Sequence, residues 1–142
     1  MKNEINVEFS ALSCNESFAR TVVAAFLVEL NPTVSELMEV KTAVSEAVTN
    51  AIIHGYENKG ADNTVRMKCS VNENIIYIEI IDYGSGIENL KQAMEPLYTS
   101  KPEQERSGMG FAVMENFMDE VAVFSEPGKG TTIKMSKTIN NG

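Results

Sequence analysis

Apolar residues change their period four times along this chain, and few folds accommodate the order in which they do so. Ile5, Val7 and Phe9 alternate, which marks a strand with one buried face. Phe18, Val22, Phe26 and Leu30 then recur at helical spacing. Leu37, Val44, Val48 and Ile52 repeat that pattern in a second helix running to about His54-Gly55. Each helix opens on a capping-box pattern, Ser13-x-x-Glu16 and Thr33-x-x-Glu36, and Asn31-Pro32 separates the two. After a polar loop over 57–63, alternation returns at Val65, Met67, Cys69 and Val71. Asn72-Glu73-Asn74 turns the chain into a partner strand over 75–81. Residues 84–108 have weak periodicity, with a short helix expected near 90–94; loops of such length in compact domains commonly act as lids. Gly108 opens a helix through about Phe117, and 121–124 and 131–135 form a closing hairpin around Pro127-Gly128-Lys129-Gly130. This order predicts an α/β two-layer sandwich: a mostly antiparallel mixed sheet covered on one face by helices.

At 142 residues, 43% hydrophobic and 23% charged, the chain suits one domain, 1–142, with a single core. Its net charge of −8 disfavours duplex DNA and anionic membranes and suits a basic protein partner, or simply solubility. Cys14 and Cys69 show no C-x-x-C spacing and no histidine cluster, so no zinc site is expected, and Cys69 reads as strand packing. Met1-Lys2-Asn3-Glu4 leads into an alternating segment and not a targeting segment. The longest apolar runs, near 22–28 and 75–81, are too short to span a bilayer. The expected setting is the reducing cytoplasm.

Glycine gives the first chemical clue. Six of the nine glycines form three G-x-G pairs at element junctions: Gly84/Gly86, Gly108/Gly110 and Gly128/Gly130. Glycine permits positive φ and close backbone approach to a ligand. Asp82 precedes the first pair at the end of an apolar strand, where a carboxylate needs a partner. Ionised, it accepts hydrogen bonds only, which suits an exocyclic amine such as that of adenine; alternatively it bonds its own turn. The second pair, in Ser107-Gly108-Met109-Gly110-Phe111, opens a helix, where backbone N–H groups and the dipole favour phosphate. It is neither a P-loop nor a Rossmann fingerprint. Steps of four place Glu46, Asn50 and His54 along one slowly drifting stripe, with Ala43, Ala47 and Ala51 between it and the apolar face. Asn50 can offer a carbonyl oxygen to Mg2+, and Glu46 can take a proton from a hydroxyl. The alternative for the helix is a solvated face, and for His54 a helix C-terminal residue that satisfies the dipole.

The order and spacing of these elements resemble the Bergerat, or GHKL, ATPase fold of gyrase, the heat-shock 90 chaperones, mismatch-repair ATPases and histidine kinases. In that comparison the helix from Glu46 to Asn50 matches the N-box and Asp82-x-Gly84-x-Gly86 the adenine box. Gly108-x-Gly110 matches the phosphate-side glycine box, and Gly130-Thr131 the final box, where a threonine supports the aspartate. Glu46-Ala-Val-Thr-Asn50-Ala-Ile-Ile-His54-Gly55, Thr99-Ser100-Lys101-Pro102-Glu103 and Glu105-Arg106-Ser107-Gly108-Met109-Gly110-Phe111 resemble the anti-sigma-factor serine kinases more closely still. Lys2-Asn3-Glu4 and Asn15-Glu16-Ser17-Phe18-Ala19-Arg20 extend that likeness towards those of sporulation.

The resemblance implies a Mg2+- and ATP-dependent serine/threonine protein kinase. It would bind and inhibit a sigma factor of the sporulation sigma F type and phosphorylate a serine of an anti-anti-sigma factor, whose capture of the kinase frees sigma. It also implies a homodimer, with ATP or ADP bound under a lid at about 84–108. Glu46 would be the base and Asn50 the Mg2+ ligand. The nucleotide would lie against Asn50, His54, Asp82, Gly84, Gly86, Ile87, Thr99, Lys101, Ser107, Gly108, Met109, Gly110 and Thr131. Glu16, Arg20 and Arg106 are expected to meet partners, although Lys101 also fits a solvated lysine and the arginines surface salt bridges. Two rival readings remain: a histidine-kinase-type ATP domain, and a nucleotide-gated binding module without kinase activity.

Overall fold

The computed structural model describes residues 2–55, 63–86 and 110–140. Along the chain it forms β1 (Lys2–Ser10), α1 (Cys14–Leu27), a 3-10 turn (Val28–Leu30), α2 (Val34–Asn50) and a π turn (Ala51–Gly55). Then come β2 (Thr64–Asn72), β3 (Ile75–Asp82), α3 (Gly110–Phe117), β4 (Glu120–Glu126) and β5 (Gly130–Thr138). The loop expected over 57–63 and the short helix near 90–94 lie largely or wholly outside the described residues.

The five strands form one sheet in the order β1-β2-β3-β5-β4, and every neighbouring pair is antiparallel. This corrects the expectation of a mixed sheet. β3 and β4 do run parallel across the connection that contains α3. However, β5 inserts between them, so no parallel pair is hydrogen-bonded among the described residues. Alternation put Phe9, Val65, Met67, Cys69 and Val71 on the covered face, where they are buried together with Ile76, Ile78, Ile80, Ile133 and Met135. Cys69 sits in this layer, where burial pushes its thiol up to about 12; Cys14 is exposed at the start of α1.

The helices cover that face. α2 packs against α1, α3 and β3, and Val40, Ala43, Val44, Ala47 and Val48 are fully buried along it. On α1 the recurrence of Phe18, Val22 and Phe26 marks the helix, but the stripe one residue on, Ala19, Val23 and Leu27, is the buried one, and Phe18 is 50% exposed. No helix among the described residues is long and apolar enough to cross a membrane.

The two capping-box patterns meet different fates. At Thr33 the box forms in full: the hydroxyl accepts from Glu36 N–H at 3.1 Å, and Glu36 accepts from Thr33 N–H at 2.9 Å. At Ser13 it does not, because Ser13 is already helical (φ −59°, ψ −28°) and its hydroxyl makes no cap bond. Glu16 instead receives the Ser45 hydroxyl of α2 and pairs with Arg20. Asn15 anchors the turn before α1 by donating to Ser10 C=O at 2.9 Å.

Glu36 has a second task. It is 9% exposed, and its other carboxylate oxygen accepts from Asn140 N–H at 2.7 Å, tying the start of α2 to the chain beyond β5. Lys137 makes a similar tie at the end of α3, donating to Phe117 C=O at 2.8 Å and facing Glu39 of α2 at 3.9 Å. Glu36→Gln leaves one acceptor for two N–H donors and sets an amide N–H against the other. Urea denaturation should show a loss of about 1–3 kcal/mol. Thr33→Ala, which removes only the cap, should lose about 1 kcal/mol.

Candidate functional site

The end of β3 and the β4–β5 turn bring Asp82, Gly86, Gly130 and Thr131 together, and the turn after α2 packs on β3 and β5. Glu46 and Asn50 are half-buried on the flank of α2, while Ala43, Ala47 and Ala51 lie in the core itself and not at its border. The α-helix stops at Asn50, and the next five residues form a π turn that packs against β3 and β5. His54 belongs to that turn and not to α2, which ends at Asn50.

Asp82 is the buried charge of the site, 4% exposed at the last position of β3. Desolvation pushes its carboxyl up from the ordinary 3.8 to about 6, and N–H bonds from Gly84 and Thr131 hold it from rising further. The Gly84 bond, at 3.0 Å, is the turn bond expected as the alternative role for this aspartate. It does not exhaust the group, since a carboxylate has about four lone-pair sites.

The turn that follows is docked on the β4–β5 turn. Gly128 N–H donates to Ser85 C=O at 2.7 Å. Gly86 (φ +76°) lies where a Cβ would overlap the Glu126 carbonyl oxygen. A Cβ on Gly130 (φ +111°) would overlap the Asp82 carbonyl oxygen and stand 2.7 Å from Tyr83 Cα. Two of the three G-x-G pairs thus meet, and Gly86 and Gly130 are required by backbone contact. A hollow of about 200 Å³ lies at this end of the sheet, lined by Ile81, Phe124 and Thr132 of the open face as well as Asp82, Ser125 and Thr131.

Thr131 is opposite Asp82 in the β3–β5 register, and Ser125 is opposite Thr131 in the β4–β5 register, so all three share the covered face in one row. The Ser125 and Thr131 hydroxyls are 2.8 Å apart, and Ser125 also donates to Gly130 C=O at 3.1 Å. The sequence offered no sign of Ser125; only the strand register could have found it. Glu16 and Arg20 lie on α1, paired at 3.6 Å, with Glu16 joined to Ser45 beside Glu46. Gly110 is the first residue of α3. Ile87, Thr99, Lys101, Arg106, Ser107, Gly108 and Met109, with most of the lid expected over 84–108, lie outside the described residues. Among the described residues no group of three His, Cys, Asp or Glu side chains could hold a metal by itself.

The family model described as the histidine kinase-like ATPase domain matches residues 9–137. The anti-sigma F factor of Bacillus licheniformis is 58% identical to this chain over 140 residues, 99% of this chain and 95% of that one. The chain belongs to the anti-sigma F factor family of histidine kinase-like ATPase domains. Other members are similar over the same span. The anti-sigma F factor of Bacillus subtilis is 55% identical over 140 residues, with 99% and 95% covered. That of Clostridium beijerinckii is 57% identical over 138 residues, with 97% and 96% covered. Solved structures share the fold at low identity. The RsbU and RsbW domains of a Mycobacterium tuberculosis protein superpose with a TM-score of 0.70 at 17% identity, covering 96% of this chain and 32% of that one. The catalytic domain of the histidine kinase ThkA gives 0.58 at 13%, covering 95% and 96%.

Two outcomes follow from the buried aspartate and its glycines. Because the folded pKa of Asp82 lies above its ordinary value, its contribution to stability is greatest below pH 4 and is lost as pH rises through 6. Between pH 5 and pH 7 the wild type should therefore lose about 1 kcal/mol more than Asp82→Asn in parallel urea titrations. Gly130→Ala meets the Asp82–Tyr83 backbone at positive φ and should cost about 3 kcal/mol or more. Gly128→Ala has positive φ (+80°) but open space around it. It should cost only about 1 kcal/mol by thermal melting.

Proposed function

We propose that this chain is an ATP-dependent serine protein kinase that doubles as an anti-sigma factor in the cytoplasm. It holds a sigma factor of the sporulation sigma F type inactive and phosphorylates a serine of an anti-anti-sigma factor. When that factor captures the kinase, sigma is released. The observation that carries this reading is the 55–58% identity to proteins named anti-sigma F factor over nearly the full length of both partners. The residues present fit a nucleotide. Asp82 is a buried acceptor with lone pairs to spare, and Gly86 and Gly130 bring backbone close around it. Asn50, half-buried at the end of α2, offers one side-chain oxygen to Mg2+, an ion whose other ligands are commonly phosphates and water.

Bound Mg2+ and ATP would supply the transferable phosphoryl group and the positive charge that balances it. The chain's own residues then have separable tasks. Asp82 accepts from the exocyclic amine of adenine, with Gly84, Gly86, Ile87 and Thr131 around the base. Asn50 offers its side-chain oxygen to the metal, with His54 near the nucleotide. Thr99, Lys101 and the backbone of Ser107, Gly108, Met109 and Gly110, leading into α3, bind the phosphates. Glu46 takes the proton of the acceptor serine. Glu16, Arg20 and Arg106 contact the partner proteins, and the kinase works as a homodimer.

The test is transfer from γ-labelled ATP to a purified anti-anti-sigma protein. Labelling should be acid-stable, as for phosphoserine; acid-labile label would favour the histidine-kinase reading. ATP binding without any label would leave a nucleotide-gated binding module. Glu46→Gln should lower the transfer rate at least about 100-fold while ATP affinity stays within a few-fold. Undiminished transfer would remove Glu46 as the base. In the same preparation Arg20→Glu should lose partner capture and keep ATP binding.

A further inference from the structure

The row formed by Ser125, Thr131 and Asp82 can be read proton by proton. A carbonyl oxygen carries no proton, so in the 3.1 Å bond to Gly130 C=O the Ser125 hydroxyl is the donor. A serine hydroxyl has a single proton. The 2.8 Å bond between the Ser125 and Thr131 oxygens must therefore use the Thr131 proton. Thr131, 4% exposed, is left with lone pairs only. Beside it in the register stands Asp82, whose ionised carboxylate is likewise acceptor-only.

We propose that Ser125 is a specificity-determining residue. By taking the Thr131 proton it keeps Thr131 an acceptor, so that a base edge seated against Asp82 and Thr131 must present an amino group and not a carbonyl oxygen. Adenine meets that requirement with its 6-amino group, and hypoxanthine, which has a 6-oxo group and no amino group, does not. The inference rests on the nucleotide reading above and adds Ser125 to it as a positioning residue acting through Thr131. A buried acceptor facing a ligand acceptor leaves both unpaired, which is the condition under which sites discriminate most strongly.

The experiment measures the affinity of the full chain for ATP and for ITP, which differ at the amino or oxo group of the base. Wild type, Ser125→Ala and Ser125→Thr are compared. Wild type should favour ATP by about 100-fold or more. In Ser125→Ala the Thr131 hydroxyl is free to rotate and donate, so ITP should gain and the ATP-to-ITP ratio should fall at least tenfold. Ser125→Thr, which restores a hydroxyl, should keep the wild-type ratio. A structural role alone would weaken both nucleotides together and leave the ratio unmoved. If circular dichroism shows Ser125→Ala unfolded, Ser125→Cys keeps the size and offers sulfur, a weak acceptor; its ratio should fall likewise. A folded Ser125→Ala or Ser125→Cys with a ratio within twofold of wild type overturns the inference. Wild type that binds neither nucleotide overturns the ATP reading itself, which is a distinct result.

Discussion

Helix α2 is clamped on three sides, and the site depends on that clamp. α1, α3 and β3 all pack on it, with Ala43 and Ala47 small enough to let neighbours come close. Glu36 fixes its start to Thr33 and Asn140, and Lys137 ties its Glu39 to the end of α3. A helix so held can neither slide nor turn, which gives Glu46 and Asn50 a fixed attitude relative to the sheet. The α-helix ends directly after Asn50, where a π turn takes over. Such turns are frequent at functional sites because they redirect the chain without loosening the helix before them.

The opposite side of the site is rigid for a different reason. Asp82 is held by N–H bonds from Gly84 and Thr131, beside two turns in backbone contact so close that Gly86 and Gly130 have no room for a side chain. The resulting block burns some stability at neutral pH, since a carboxyl with a pKa of about 6 is ionised there at a desolvation cost. A ligand that donates to Asp82 would recover part of it. This is the usual sense in which a binding site is less stable empty than filled.

Much of this was legible in the sequence, because alternation and helical spacing record which faces are buried. The two hairpins, Thr33 as a cap and Asp82 at a strand end are examples. What stayed hidden depends on partners far away along the chain. The Glu36 bond to Asn140 crosses 104 positions. Ser45 is one of many serines until α1 lies beside it, and Ser125 becomes distinctive only when β5 stands between β3 and β4. The Ser13-x-x-Glu16 pattern failed because a capping box needs an extended residue at its head, and Ser13 is helical. The π turn left no mark, since Ile52 and Ile53 suit an α-helix equally well. The mixed sheet was a miscount of neighbours: order along the chain does not say that β5 slips between two parallel strands.

The two thiols of the molecule differ sharply in accessibility. Cys69, sealed in the middle of β2 and held protonated by its surroundings, is out of reach of any reagent while the fold is intact. Cys14 lies in water at the head of α1, two positions from Glu16 and six from Arg20. Nature has thereby left one chemical handle on the native protein, without engineering. A fluorophore or spin label attached there would sit on the surface proposed to meet the partner proteins, and labelling at Cys69 would report unfolding alone.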